Sequence, residues 1–118
     1  MERPKIQTAL PQRRYQLGDY QAVVLGEIES GDARRYQYIL ALVRAGEPQP
    51  GLYVIAEKNP RKLAQEQGAF RLRLVTEGLD EDLGSADRWG EIEAFAQEGL
   101  TLAAQTLGLG GQAPQRLM

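Results

Sequence analysis

Between Tyr20 and Val43 the chain places apolar side chains on both sides of its extended segments. From Tyr20 to Ile28 one alternating set is Tyr20, Ala22, Val24, Gly26 and Ile28, and the other is Gln21, Val23, Leu25 and Glu27. From Tyr36 to Val43 the sets are Tyr36, Tyr38, Leu40, Leu42 and Gln37, Ile39, Ala41, Val43. A sheet with one solvated face alternates more cleanly than this, so the pattern predicts strands covered on both faces.

The same reading extends along the chain. Lys5 to Leu10 alternates weakly before Pro11, as an edge strand or a loose arm, and Arg13 to Leu17 reads as a short strand. Gly18-Asp19 sits between that strand and Tyr20–Ile28 at the two-residue spacing of a tight hairpin. Glu29-Ser30-Gly31-Asp32 is the next turn. With Ser30-Gly31 as its loop, Ile28 falls opposite Ala33 and Glu27 opposite Arg34, a register that pairs opposite charges. It also sets Val23 and Leu25 beside Tyr38 and Tyr36 on a bulky face, leaving Ala22, Val24 and Gly26 beside Ile39, Gln37 and Arg35 on a flatter one. Gly46 to Gly51 is a loop, and Leu52 to Glu57 is a strand rich in β-branched and aromatic residues.

Asn59-Pro60 then resembles a helix start, with Gly68 as its stop, which predicts a short helix over Pro60 to Gln67. Phe70 to Thr76 alternates as a half-exposed strand, followed by an acidic loop. Ser85 or Asp87 can cap a helix whose apolar stripe is Trp89, Ile92, Phe95, Ala96, Leu100, Ala103 and Leu107, with Gly108 as its stop.

This order predicts an α+β domain. It consists of an antiparallel sheet of about five strands, a short connecting helix, and one long C-terminal amphipathic helix packed on one face. Residues 1–12 form an N-terminal arm or edge strand, 13–109 the domain, and 110–118 a flexible tail. The helix is expected on the bulky face. A helix of about 20 residues is only ~30 Å long and ~10 Å wide, so it cannot also cover the flatter one. A second copy of the chain is the simplest cover, and Ala22, Val24, Ile39, Ala41 and Val54 are the residues expected at that homodimer interface. Sheet closure is the other solution.

Composition narrows the chemistry. The chain has 118 residues, 42% hydrophobic and 25% charged, the profile of an ordinary globular domain. Nothing approaches the roughly 18 consecutive apolar residues of a membrane span, and no apolar signal segment follows Met1 to Lys5, so a cytoplasmic location without membrane contact is expected. The sequence has no Cys and no His, which removes disulfides, thiolate metal sites, cysteine nucleophiles and the commonest general base.

Net charge is -2, but it is segregated. Lys58, Arg61, Lys62, Arg71 and Arg73 face only Glu66 between residues 58 and 73, while eight acidic residues face only Arg88 between residues 77 and 98. The cations Lys58, Arg61, Lys62, Arg71 and Arg73 are therefore the candidate anion or nucleic-acid surface. Arg61 and Lys62 in the first turn of a helix oppose its dipole, a conflict that a bound phosphate would relieve and a solvated turn would tolerate.

Other patterns are weaker. Arg13-Arg14-Tyr15-Gln16 recurs as Arg34-Arg35-Tyr36-Gln37, a basic-aromatic string suited to stacking and phosphate contact, but the expected registers put Tyr15 and Tyr36 on opposite faces. Asp80-Glu81-Asp82 departs from a calcium loop because Gly84 and Ser85 occupy positions that need a ligand and a glycine. Ser30 and Ser85 fall where turns need a hydroxyl. No catalytic residues, metal ligands or cofactors are identified. The leading reading is a small non-enzymatic binding or adaptor protein, acting as a homodimer with an unknown protein partner. The rival is a single-stranded DNA or RNA binder using the basic segment, and the third reading is a small carboxylate-dependent enzyme.

Overall fold

A computed structural model describes residues 1–118. Strand β1 (Ile6–Leu17) turns through Gly18-Asp19 into β2 (Tyr20–Ser30), then β3 (Tyr36–Arg44) and β4 (Leu52–Lys58) follow. Helix α1 (Arg61–Gln67) leads to β5 (Phe70–Thr76) and β6 (Leu79–Ala86), and a single 3-10 turn (Asp87–Gly90) precedes helix α2 (Ile92–Thr106) and the two-residue strand β7 (Gln115–Arg116). All seven strands form one antiparallel sheet in the order β6-β5-β4-β3-β2-β1-β7. The α+β class expected from the sequence holds, with seven strands rather than about five.

The first hairpin has the expected register, with Leu17 opposite Tyr20 and Tyr15 opposite Ala22. Strand β1 continues through Pro11, which lacks a backbone donor and is accommodated because β1 has β2 on only one side there. The second hairpin differs from expectation. Tyr20 pairs with Arg44 and Leu25 with Ile39, a slip of three residues relative to a Ser30-Gly31 loop. The turn is longer because Ser30 Oγ donates to the carbonyls of Asp32 (3.2 Å) and Arg34 (2.6 Å), and Asp32 Oδ1 accepts from the Arg34 amide at 2.8 Å. An odd slip exchanges the faces of one strand relative to its neighbour. Ala22 and Val24 consequently share a face with Leu40 and Leu42, and this face carries α2.

The main core lies between α2 and the sheet. Phe95, Ala96, Leu100 and Ala103 meet Val24, Leu40, Leu42, Leu52 and Val54. The helix crosses β3 and β4, and Gly99 lets it come close, since a Cβ there would stand 2.9 Å from Leu40 Cδ2. Trp89 lies in the 3-10 turn rather than on the helix, buried, with the Arg88 guanidinium 4.3 Å from its ring centre.

The opposite face carries Tyr36, Ile39, Tyr53, Ile55 and Val75, all buried within the single chain. A β-bulge at Gln37 turns Tyr36 onto this side although Tyr38 faces α2. The cover is the chain's own N-terminal segment. Met1 and Ile6 pack on this cluster, Gly31 N donates to Lys5 O at 2.7 Å, and an Arg3 amine donates to Pro50 O at 3.3 Å. The chain's own N-terminal segment thus covers part of the face expected to carry a second copy.

Two further segments differ from the sequence reading. The acidic stretch after Gly78 is the edge strand β6, not a loop, held in register by Arg73 on Asp80 (2.7 Å) and Arg71 on Asp82 (3.3 Å). The C-terminal residues return to β1, where Leu117 N donates to Arg14 O at 2.7 Å and Arg116 pairs with Tyr15.

Candidate functional site

Because α2 lies over β3 and β4, it leaves space above β1. The C-terminal segment that runs from α2 back to β1 bounds that space on its far side. The result is an open groove of about 600 Å³, within the size range of small-molecule sites. Its floor is Tyr15, Leu100 and Ala104; one wall is the α2 stripe Glu93, Gln97, Thr101 and Gln105, and the other is Gly110, Gln112, Pro114 and Arg116.

Successive spacings of four residues along α2 put Glu93, Gln97, Thr101 and Gln105 on one side of the helix. Arg13 enters from β1. Its guanidinium donates to Glu93 Oε2 at 2.7 Å and to the Tyr15 hydroxyl at 3.4 Å, and its side chain is only 13% exposed. The Arg13 contact holds the Glu93 carboxyl below the ordinary carboxylate range. Gln97 Nε2 donates to the other Glu93 oxygen at 3.2 Å, so both carboxylate oxygens are occupied. Arg13 and Arg116 outweigh Glu93, and the groove carries one net positive charge among neutral amides and two hydroxyls.

The cations singled out in the sequence do not form one free surface. Arg73 is only 11% exposed and lies in ion pairs with Glu57 and Asp80, and Arg71 pairs with Asp82. Lys58, Arg61 and Lys62 are exposed and outside every ion pair. Helix α1 has seven residues and no side-chain cap, because Asn59 donates instead to Gly68 O (2.8 Å) and Ser85 Oγ (2.9 Å). The residues expected at a dimer interface are also divided. Ala22, Val24 and Val54 lie beneath α2, fully buried, while Ile39 and Ala41 belong to the opposite cluster.

On that opposite face Glu57 is the one buried charged residue. Burial pushes its carboxyl above the ordinary range, and Arg34 and Arg71 oppose the shift. Ion pairs to Arg34 at 2.7 Å and to Arg73 compensate its desolvation. Glu2, Arg3 and Pro4 line the space beside this cluster and leave it only about 10 Å³, so the network packs between sheet and N-terminal segment.

Sequence reasoning missed the groove. Arg13 and Tyr15 were visible as half of a repeated string, but the glutamines that face them occupy the polar side of an amphipathic helix and give no periodic signal. Comparisons with protein-family models, curated proteins and solved structures find no match for this chain.

Proposed function

We propose that the protein is a binding module for a small, polar, monoanionic organic molecule, held in the groove between α2, β1 and the C-terminal segment. The observation that supports this reading is the placement of Arg13: largely buried, oriented by Tyr15 and Glu93, and facing a cavity of about 600 Å³. An arginine fixed by packing and hydrogen bonds presents its remaining N–H groups in a set direction, which favours a planar carboxylate over a diffuse anion. Leu100 and Ala104 supply apolar contact for the body of the ligand, and Gln97, Gln105 and Gln112 supply donors and acceptors at its rim. The basic segment gives less support to nucleic-acid binding, because Arg71 and Arg73 are already neutralised by Asp82, Asp80 and Glu57.

Ligand-observed NMR against a panel of small organic carboxylates, with neutral amide analogues as controls, tests the reading. Carboxylates are expected to bind the native chain and to lose binding on Arg13→Met and on Gln105→Trp, which fills the groove from the exposed side of the helix. Equal binding to Gln105→Trp would place the ligand elsewhere.

A further inference from the structure

We propose that the cleft between the diverging ends of β2 and β3 binds a small zwitterion whose ammonium and carboxylate are separated by a short apolar linker. This cleft shares no residue with the groove above β1. Strands β2 and β3 pair only from Tyr20 with Arg44 to Leu25 with Ile39, although β2 runs on to Ser30 and β3 begins at Tyr36. Between the parted ends lies a cavity of about 340 Å³.

Three consecutive strands bulge toward it. The β1 ladder shifts between Pro11 and Arg13, leaving Gln12 extra; the β1–β2 register shifts again between Leu10 and Thr8, where Glu27 and Ile28 stand opposite Ala9; and the β3 ladder shifts between Tyr36 and Tyr38, leaving Gln37 extra. Gln12, Glu27 and Gln37 all line the cavity. A bulge gives up regular pairing and re-aims a side chain, so three of them converging on one space define a polar wall. Glu27 is also the one non-glycine residue of the chain with positive φ, at 47°. Glycine would relax that position. The sequence instead has its glycine one residue earlier, where a Cβ at Gly26 would overlap the Gln12 amide. Gly26 thereby admits Gln12 to the cleft, and Glu27 retains its carboxylate in a strained backbone.

The charges are complementary to a zwitterion. Glu27 and Glu29 stand on the β2 wall and Lys58 at the end of β4, and none of the three takes part in an ion pair. Two paired strand spacings alone would put these walls about 10 Å apart, and the parting of β2 from β3 widens that. A molecule with its ammonium toward Glu27 and Glu29 and its carboxylate toward Lys58 needs several bonds between its charges, more than an α-amino acid offers. The Tyr38 ring, stacked on Phe95 with centroids 5.5 Å apart, gives the linker an apolar surface, and the Gln12 and Gln37 amides add hydrogen bonds to either end.

The test is a titration of the isotope-labelled full chain with 6-aminohexanoate, followed by backbone amide NMR, with hexylamine and hexanoate as singly charged controls. Saturable shifts are expected at residues 27–29 and 36–38, with each control at least about tenfold weaker. Glu27→Gly is expected to raise the melting temperature by relieving the positive φ and to weaken binding about tenfold or more. Lys58→Met, at an exposed position, is expected to erase the preference for 6-aminohexanoate over hexylamine. The proposal is overturned if no saturable shift appears by about 10 mM, if the controls bind equally well, if shifts are confined to α2, or if Glu27→Gly binds as the native chain does.

Discussion

Asp32 ties three parts of the chain together. Its carboxylate accepts from Arg34 N at 2.8 Å, from the Tyr36 hydroxyl at 3.0 Å and from Lys5 N at 3.4 Å, which joins the second turn, the buried ring and the N-terminal segment. Partial burial pushes the carboxyl up, but these hydrogen bonds outweigh it and hold the group below its ordinary range. The unfolded chain therefore takes up the proton first as pH falls. The stabilisation is complete above the unfolded value of about 3.9 and is lost as pH drops from there through the folded value. Asp32→Asn is expected to cost about 1 kcal/mol at neutral pH, below the usual range for a charged acceptor because the site is partly open to water. Denaturant titrations at neutral pH and below about pH 4 check this: the gap between native chain and variant should close on the acid side. A gap that persists there would assign the effect to lost packing rather than charge.

Helix α2 is the element on which the main core depends. Phe95 is fully buried against the sheet and stacked with Tyr38, and Phe95→Ala is expected to cost about 3 to 5 kcal/mol in chemical denaturation. Gly99→Leu is expected to destabilise comparably although it adds apolar surface, because a side chain there drives the helix off Leu40 and Val54. A neutral Gly99→Leu would mean that the helix packs further from the sheet than described. The stripe of α2 was legible in the sequence because Phe95, Ala96, Leu100 and Ala103 repeat at helical spacing over several turns. Strand β6 was not, since an exposed edge of Asp80, Glu81 and Asp82 has neither β propensity nor alternation, and arginines on β5 set its register. The second hairpin was misread for a related reason: a turn built by Ser30 and Asp32 side chains outweighed the charge pairing of Glu27 with Arg34, and an odd slip then reassigned every face. The groove was illegible because it arises from where α2 comes to rest, a tertiary outcome carried by no single segment.

At the scale of the whole molecule, both faces of the sheet are covered, but by unequal means. One carries a 15-residue helix and the other a segment of about five residues. The second cover buries Ile39, Ile55, Val75 and Tyr53 through Met1, Arg3 and Ile6 and is tied down by few hydrogen bonds. Contacts so few belong to the low-stability part of a protein, which opens before the core does. The two-sided apolar pattern that suggested a second copy thus becomes a statement about this segment: the face it hides is flat, apolar and suited to another sheet when uncovered. Removing residues 1–5 is expected to leave α2 and the main core folded while producing concentration-dependent self-association. The intact chain should sediment at its 13.1 kDa mass at the same micromolar concentrations. In the shortened chain, Ile39→Asp should abolish association or unfold the protein. Ala41→Glu, half-exposed at the rim of the same cluster, should reduce association with little loss of stability and so separates the two effects. Should the intact chain sediment at twice its mass while Ala41→Glu leaves that mass unchanged, the contact between copies lies away from this face, and the N-terminal segment is a permanent part of the fold.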